Sequence, residues 1–179
     1  MKANVATVPG ETESDEITAD VAILVQLSTV HGALARLARE RDELTATLAA
    51  RRRALEQPAV DQGPHDASIA AKEQAVDRER TDLDLLAADL TPRLAALATE
   101  EATAEGRARR LGGGLSPDGR RIYSSLATAR RLPFAVTLRG DCCSGCNMRL
   151  PSGLLGEIRR VRRLHRCPSC KRVVSSSAA

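Results

Sequence analysis

The chain has 179 residues, with 27 Lys/Arg against 23 Asp/Glu, one Phe, one Tyr and no Trp. So few aromatic side chains exclude a large globular core, and the Ala, Leu, Arg and Glu that dominate instead are the composition of long helices and coiled coils. Charge is divided along the chain: residues 107–179 hold 16 Lys/Arg against 3 Asp/Glu, a net of +13, whereas residues 1–106 hold 11 against 20, a net of −9.

Residues 1–16 are polar and end in the acidic run from Glu11 to Glu16, so a disordered N-terminus is predicted, with Thr12-x-x-Asp15 as a candidate helix cap. No basic start precedes an apolar stretch, which argues against a signal peptide. The most apolar run, Val21 to Leu27, is too short to cross a bilayer. The expectation is a cytoplasmic protein with no membrane segment.

Residues 17–111 read as a long antiparallel coiled-coil hairpin. In the first helix, about 17–57, Leu27, Val30, Leu34, Leu37, Leu44, Leu48 and Leu55 alternate three- and four-residue steps, with Arg41 and Arg51 in the two remaining seam positions. Pro58 and Gly63-Pro64 break it. In the second helix, about 66–110, Ile69, Val76, Leu83, Leu90 and Leu97 recur every seven residues, widened by Leu86 and Leu94. Matching lengths joined by a Pro/Gly loop imply two antiparallel helices, each roughly 60 Å long at 1.5 Å per residue. Pro92 falls inside the second and is expected to kink it. The hairpin reads equally as a protein-binding arm and as a spacer or dimerisation element.

Gly112-Gly-Gly114 reads as the helix end and a hinge. A short helix then starts with Ser116 as N-cap, Pro117 at its first position and Asp118 at the positive end of the dipole. Ile122, Tyr123, Leu126 and Ala129 give it an apolar face, and Pro133 stops it. A strand is predicted over 135–139. Leu154, Leu155, Ile158, Val161 and Leu164 supply a small core, and Val173-Val174 a closing strand. Residues 175–179 read as a disordered tail.

Between these strands lie Cys143-Ser-Gly-Cys146 and, twenty residues later, Cys167-Pro-Ser-Cys170. A Cys-x-x-Cys turn offers two sulfurs to one side of an ion, and a second such turn closes a tetrahedron, so Cys143, Cys146, Cys167 and Cys170 are the candidate ligands of one structural Zn²⁺. Gly145 and Pro168 suit tight turns. Four cysteines leave no open coordination position. Redox pairs and disulfides fit less well, given two motifs and an odd total of five cysteines. Cys142 is the bystander, His165 reads as a strand residue, and His31 and His65 as surface residues. So small a domain needs its metal to fold.

The order of hairpin, short helix with Tyr123, apolar strand, Cys143-Ser-Gly-Cys146, Leu150-Pro151 and Cys167-Pro-Ser-Cys170-Lys-Arg-Val173 resembles the bacterial C4-type zinc-ribbon proteins with an N-terminal coiled-coil hairpin. The resemblance covers essentially the whole chain, most specifically 116–174. It implies a mostly α chain: the hairpin, then a small C-terminal β zinc ribbon. It also implies an adaptor that binds the alternative sigma factor of the sigma-54 type and flagellar export components, with one branch associated with messenger RNA. Two departures stand out: Lys171 replaces the usual Gly after the last Cys, and the hairpin looks short.

Two functions remain open. One is an adaptor that binds protein partners through hairpin and ribbon. The other is RNA or DNA binding, for which Arg159, Arg160, Arg162, Arg163, Arg166, Lys171 and Arg172 are the candidate phosphate-contacting face. That face reads also as a merely solvated one, or as docking an acidic partner or the chain's own acidic hairpin, and no aromatic residue stands near it for base stacking. No catalytic constellation or phosphate-cradling loop can be read, so no enzymatic activity is expected.

Overall fold

The computed structural model describes residues 9–56, 69–160 and 163–176, with the side chains of 9–13, 69, 70 and 72 outside the description. Along these run α1 (Pro9–Glu56), α2 (Ile69–Gly113), α3 (Pro117–Thr128), β1 (Ala135–Arg139), β2 (Cys142–Cys143), α4 (Ser152–Arg160), β3 (His165–Arg166) and β4 (Val173–Ser175). The architecture is the expected one: two long helices packed together, then a small sheet that carries the cysteines. Pro58, Gly63-Pro64, His65, Val161 and Arg162 lie outside the described residues.

Helix α1 starts at Pro9, inside the stretch expected to be disordered. Thr12 is therefore inside the helix and is not its cap. The apolar stretch also proves longer than Val21–Leu27. Within Ser14–Glu56 a window reaches a mean hydropathy of 1.5, long and apolar enough to cross a membrane by length and composition, and part of it is buried in the protein. Helix α2 passes through Pro92, at an exposed position, and runs on through Gly112 and Gly113.

The described residues form two compact units. In the first, Leu34–Thr103, the later part of α1 lies against α2 in antiparallel sense. Arg41 bonds Glu101 at 2.7 Å, and Arg93 pairs with Glu40. The arginine at seam position 41 is thus satisfied by a carboxylate from the facing helix. Of the described stripe leucines in this unit, only Leu97 is fully buried; Leu34, Leu37, Leu44, Leu48, Leu55, Leu83, Leu86, Leu90 and Leu94 are half-buried. Val76, read as a seam residue, is exposed. The reason is geometric: two helices alone cover one side of each stripe.

The second unit joins residues up to Ala33 with those from Ala104 onward. Here α1 buries Val21, Leu24, Leu27 and Val30. Helix α3 begins as its sequence requires: Ser116 Oγ accepts from the Gly119 N–H at 3.0 Å, with Pro117 at the first position. The Asp20 carboxylate of α1, itself buried, accepts from the Ser116 N–H at 2.9 Å and from its hydroxyl. A Cβ at position 119 would lie 2.4 Å from Asp20 Oδ2, so only Gly119 admits this approach. Ile122 and Leu126 face inward.

Beyond α3 the strands form a four-stranded sheet in the order β2-β1-β4-β3. β1 runs antiparallel to β2, with Leu138 opposite Cys143, and parallel to β4, with Ala135 opposite Val173. β3 runs antiparallel to β4, with His165 opposite Val174. Helix α4 had no counterpart among the expected elements. Leu154, Leu155 and Ile158 at positions i, i+1 and i+4 put one apolar face on the ribbon core, and Arg159 and Arg160 sit in its last turn.

Candidate metal centre

The two edge strands deliver the cysteines. Cys143 ends β2, and Cys167 follows β3 directly. Their Cys-x-x-Cys turns are near copies of one another. The Cys143 carbonyl accepts from the Asn147 N–H at 2.8 Å, and the Cys167 carbonyl from the Lys171 N–H at 2.9 Å. The Cys143 N–H donates to the Met148 carbonyl at 3.0 Å, and the Cys167 N–H to the Arg172 carbonyl at 2.9 Å. In each turn the residue after the second cysteine adopts a left-handed backbone, with φ of 58° at Asn147 and 64° at Lys171. Lys171 therefore occupies a conformation that glycine takes freely and a side chain does not, which accounts for the residue type usual there.

The sulfurs of Cys143 and Cys170 lie 3.7 Å apart, as do those of Cys146 and Cys167, and all four fall within 4.8 Å of one another. A tetrahedron with Zn–S bonds of about 2.3 Å has sulfur–sulfur edges of about 3.8 Å. The same separations are far beyond the ~2.05 Å of a disulfide, and all five cysteines are free. The four residues therefore fit one Zn²⁺ in a closed shell, and the ion's role is to hold two turns together. Cys142 is half-buried and stands outside this group, as does buried His165, whose Nδ1 lies 3.6 Å from Glu157. No other cluster of His, Cys, Asp or Glu among the described residues is placed to bind a metal.

Burial sets the thiol chemistry. It pushes the Cys143 thiol up to about 12, partly opposed by backbone N–H donors, and raises Cys167 too. Burial acts in the same sense on Cys170, but hydrogen bonds from the Arg172 N–H and side chain, together with those to Cys146 and Cys167, outweigh it and bring that thiol down to about 7. A cation must therefore displace protons from buried sulfurs, which couples metal uptake to pH. Cys143 and Cys167 are also members of the ribbon's apolar cluster, with Leu150, Leu155, Ile158 and Val174. Gly145 is required by space: a Cβ there would lie 3.0 Å from Val136 Cγ1 and 3.2 Å from Arg172 Cδ.

Arg162 lies outside the described residues, and the other six basic residues are engaged to different degrees. Arg172 is turned inward, donating to the carbonyls of Leu132 at 2.7 Å, Pro133 at 3.1 Å and Gly145 at 3.2 Å. Arg166 donates to the Lys171 carbonyl at 2.9 Å, and Lys171 Nζ to the Pro168 carbonyl at 2.6 Å. Arg159 reaches Asp141 at 3.3 Å and Arg163 reaches Glu157 at 2.7 Å. Arg160 is exposed at the end of α4.

The largest departure concerns His31, read as a surface residue. It is half-buried in a cluster with the chain's one Tyr and one Phe. The three rings meet edge to face, with centroids 5.8 Å apart for His31–Tyr123, 5.1 Å for His31–Phe134 and 5.4 Å for Tyr123–Phe134. His31 Nε2 and the Tyr123 hydroxyl share a hydrogen bond of 2.8 Å. Burial lowers the His31 pKa and raises that of Tyr123. The available signal was the scarcity itself, since in a chain with two aromatic residues both are needed where burial counts most.

Residues 142–174 match the C4-type zinc ribbon domain family. None of the curated proteins compared with the chain matches it. Among solved structures, the HP0958 protein from Helicobacter pylori is similar at 12% identity, with 95% of this chain and 85% of that chain covered and a TM-score of 0.37. CT398 from Chlamydia trachomatis is similar at 15% identity, with 94% of each chain covered and a TM-score of 0.45. A Mycobacterium smegmatis protein is similar at 17% identity, with 95% and 87% covered and a TM-score of 0.45.

Proposed function

We propose that the chain is a non-enzymatic adaptor of the cytoplasm, in which the zinc ribbon is a structural module and the helical hairpin takes up a protein partner. The observation that carries this is the leucine stripe of Leu34–Thr103, where every seam leucine but Leu97 keeps part of its surface in water. Near the distal ends of the helices, Leu55, Leu83 and Leu86 line an open groove flanked by Arg51, Arg78, Glu79 and Asp82. An amphipathic helix laid along that stripe would complete the burial, and the flanking charges of both signs would set its register. A closed four-sulfur shell offers no reactive position, which agrees with a binding role. The resemblance to hairpin-bearing zinc-ribbon adaptors suggests a sigma factor of the sigma-54 type or a flagellar export component as the partner class.

The test is site-specific photo-crosslinking from position 85 in cells, comparing the otherwise unchanged chain with Leu55→Ser/Leu86→Ser. A defined partner that is reproduced with purified components, and lost in the double variant at unchanged helicity and zinc content, supports the reading. Crosslinks only to a second copy of the chain would replace it with self-association. The second reading, RNA or DNA binding, is supported by the exposed Arg139, Arg149, Arg159, Arg160 and Arg163. A salt series decides it: affinity that persists near 150 mM salt favours the nucleic-acid reading, because purely ionic attraction falls steeply with salt.

A further inference from the structure

The stretch between α3 and β1 is fastened on both sides. On the ribbon side, Arg131 donates to the Cys170 carbonyl at 3.0 Å. Arg172 joins the Leu132 and Pro133 carbonyls to that of Gly145. On the helix side, the Phe134 N–H donates to Ser28 Oγ of α1 at 2.7 Å, and Ser28 Oγ donates in turn to the Leu24 carbonyl at 2.7 Å. The Phe134 carbonyl accepts from Val173 of β4 at 2.9 Å, and its ring is wedged against His31 and Tyr123. Phe134 thus belongs at once to the ribbon and to the helices.

Both ribbon-side acceptors lie in metal-binding turns. Gly145 stands between Cys143 and Cys146, and Cys170 is itself a ligand. Beyond their own backbone hydrogen bonds, the turns rest on an apolar cluster that counts two of the ligands, Cys143 and Cys167, among its members. A ribbon of this size does not keep its shape on apolar burial alone. If the ion leaves, the two carbonyls lose their fixed positions, and Arg131 and Arg172 lose the acceptors that seat the linker.

We propose that zinc occupancy acts as a latch on this joint: the loaded centre keeps Phe134 seated against α1, and loss of the ion opens the His31–Tyr123–Phe134 cluster to water while the helices persist. The consequence goes beyond a stabilising role for the metal. An aromatic surface on α1 and α3 is covered or uncovered according to the metal supply, so the chain reports metal status to whatever binds its helices.

Tyr123 is the only tyrosine in a chain without tryptophan, so its emission reports the cluster without background. The experiment is a titration of the full-length zinc-loaded protein with a chelator. It follows acrylamide quenching of Tyr123, far-UV circular dichroism, and hydrogen exchange in 21–31 and 135–175. The latch requires Tyr123 quenching to rise several-fold on chelation, exchange around Ser28 and His31 to accelerate with it, most helical signal to remain, and zinc to reverse all of this. Faster exchange confined to 135–175 with unchanged quenching would overturn it, as would collapse of the helical signal with the ribbon. The relay is tested with Arg172→Met, or with Arg131→Met if the former does not retain one zinc. At full zinc loading, quenching between the loaded and stripped values supports the relay, and wild-type quenching rejects it.

Discussion

The two compact units are held together in opposite ways. Leu34–Thr103 relies on a repeated leucine stripe with cross-helix ion pairs such as Arg41–Glu101 and Arg93–Glu40, and most of that stripe is only half-buried. The unit containing the ribbon has less repetition and more direction: a capped helix tied to Asp20, an arginine spanning three carbonyls, an edge-to-face aromatic cluster and four convergent sulfurs. A stripe tolerates the loss of one contact, because its neighbours share the same burial. A set of unique contacts does not. Away from its fully buried Leu97, the first unit should therefore answer substitutions weakly and the second strongly.

The sharpest contrast is at the metal. Cys143→Ser or Cys170→Ser removes one of four ligands and should abolish the ordered structure of 135–174 while leaving the long helices intact, since zinc binding supplies the ribbon's folding free energy. Amide spectra in which 135–174 keep native dispersion in either variant, or after chelation, would contradict the zinc assignment. Next is Phe134→Ala, which empties a fully buried aromatic site and should cost about 3–5 kcal/mol in chemical denaturation of the zinc-loaded protein. Loss below ~1 kcal/mol would mean the cluster is incidental.

In the hairpin the comparison is internal. Leu97→Ala, at the one fully buried seam leucine among the described residues of Leu34–Thr103, should destabilise by about 2–5 kcal/mol, and Leu85→Ala, at a position 65% exposed, should stay within about 0.5 kcal/mol. Equal effects would show that burial along the stripe does not rank its residues. Lys171→Gly should stabilise the ribbon by up to about 1 kcal/mol, because it removes a side chain from a left-handed backbone. A measured loss would show that the Lys171 Nζ bond to Pro168 matters more than the strain.

The smallest effect expected is a pH dependence from His31. Burial holds its folded pKa below the unfolded value of about 6.5. Protonation therefore favours the unfolded state: this contribution to stability is complete above pH ~6.5, declines as pH falls below it, and levels off beneath the folded pKa. Between pH 7.5 and 5.5 the wild type should lose more stability than His31→Gln at constant zinc occupancy. Parallel losses would assign the dependence to other groups.

Much of this is legible in the sequence alone. Heptad spacing announces two long helices because burial at a 3.5-residue repeat has few other solutions. Ser116-Pro117-Asp118 announces α3, since a cap, a fixed φ and a dipole partner act within one turn. The four ligands follow from spacing, because each Cys-x-x-Cys is a local geometry and zinc accepts only a closed set. Helix α4 was legible in principle, from the spacing of Leu154, Leu155 and Ile158, but a nine-residue segment between two metal turns gives a short signal.

What only the tertiary structure decided depends on residues far apart in the chain. Arg172 looks like one of a run of basic residues, and its acceptors at 132, 133 and 145 become visible only when β4 lies beside β1. His31 looks like a surface residue until α3 and the linker bring Tyr123 and Phe134 to it from about ninety and one hundred residues away. Gly119 looks like any helix glycine until Asp20 arrives. Local rules govern caps, turns and repeats, because their energies lie within a few residues. A guanidinium, an imidazole or a carboxylate takes its role from whichever partner the fold delivers, and no window of sequence contains that partner.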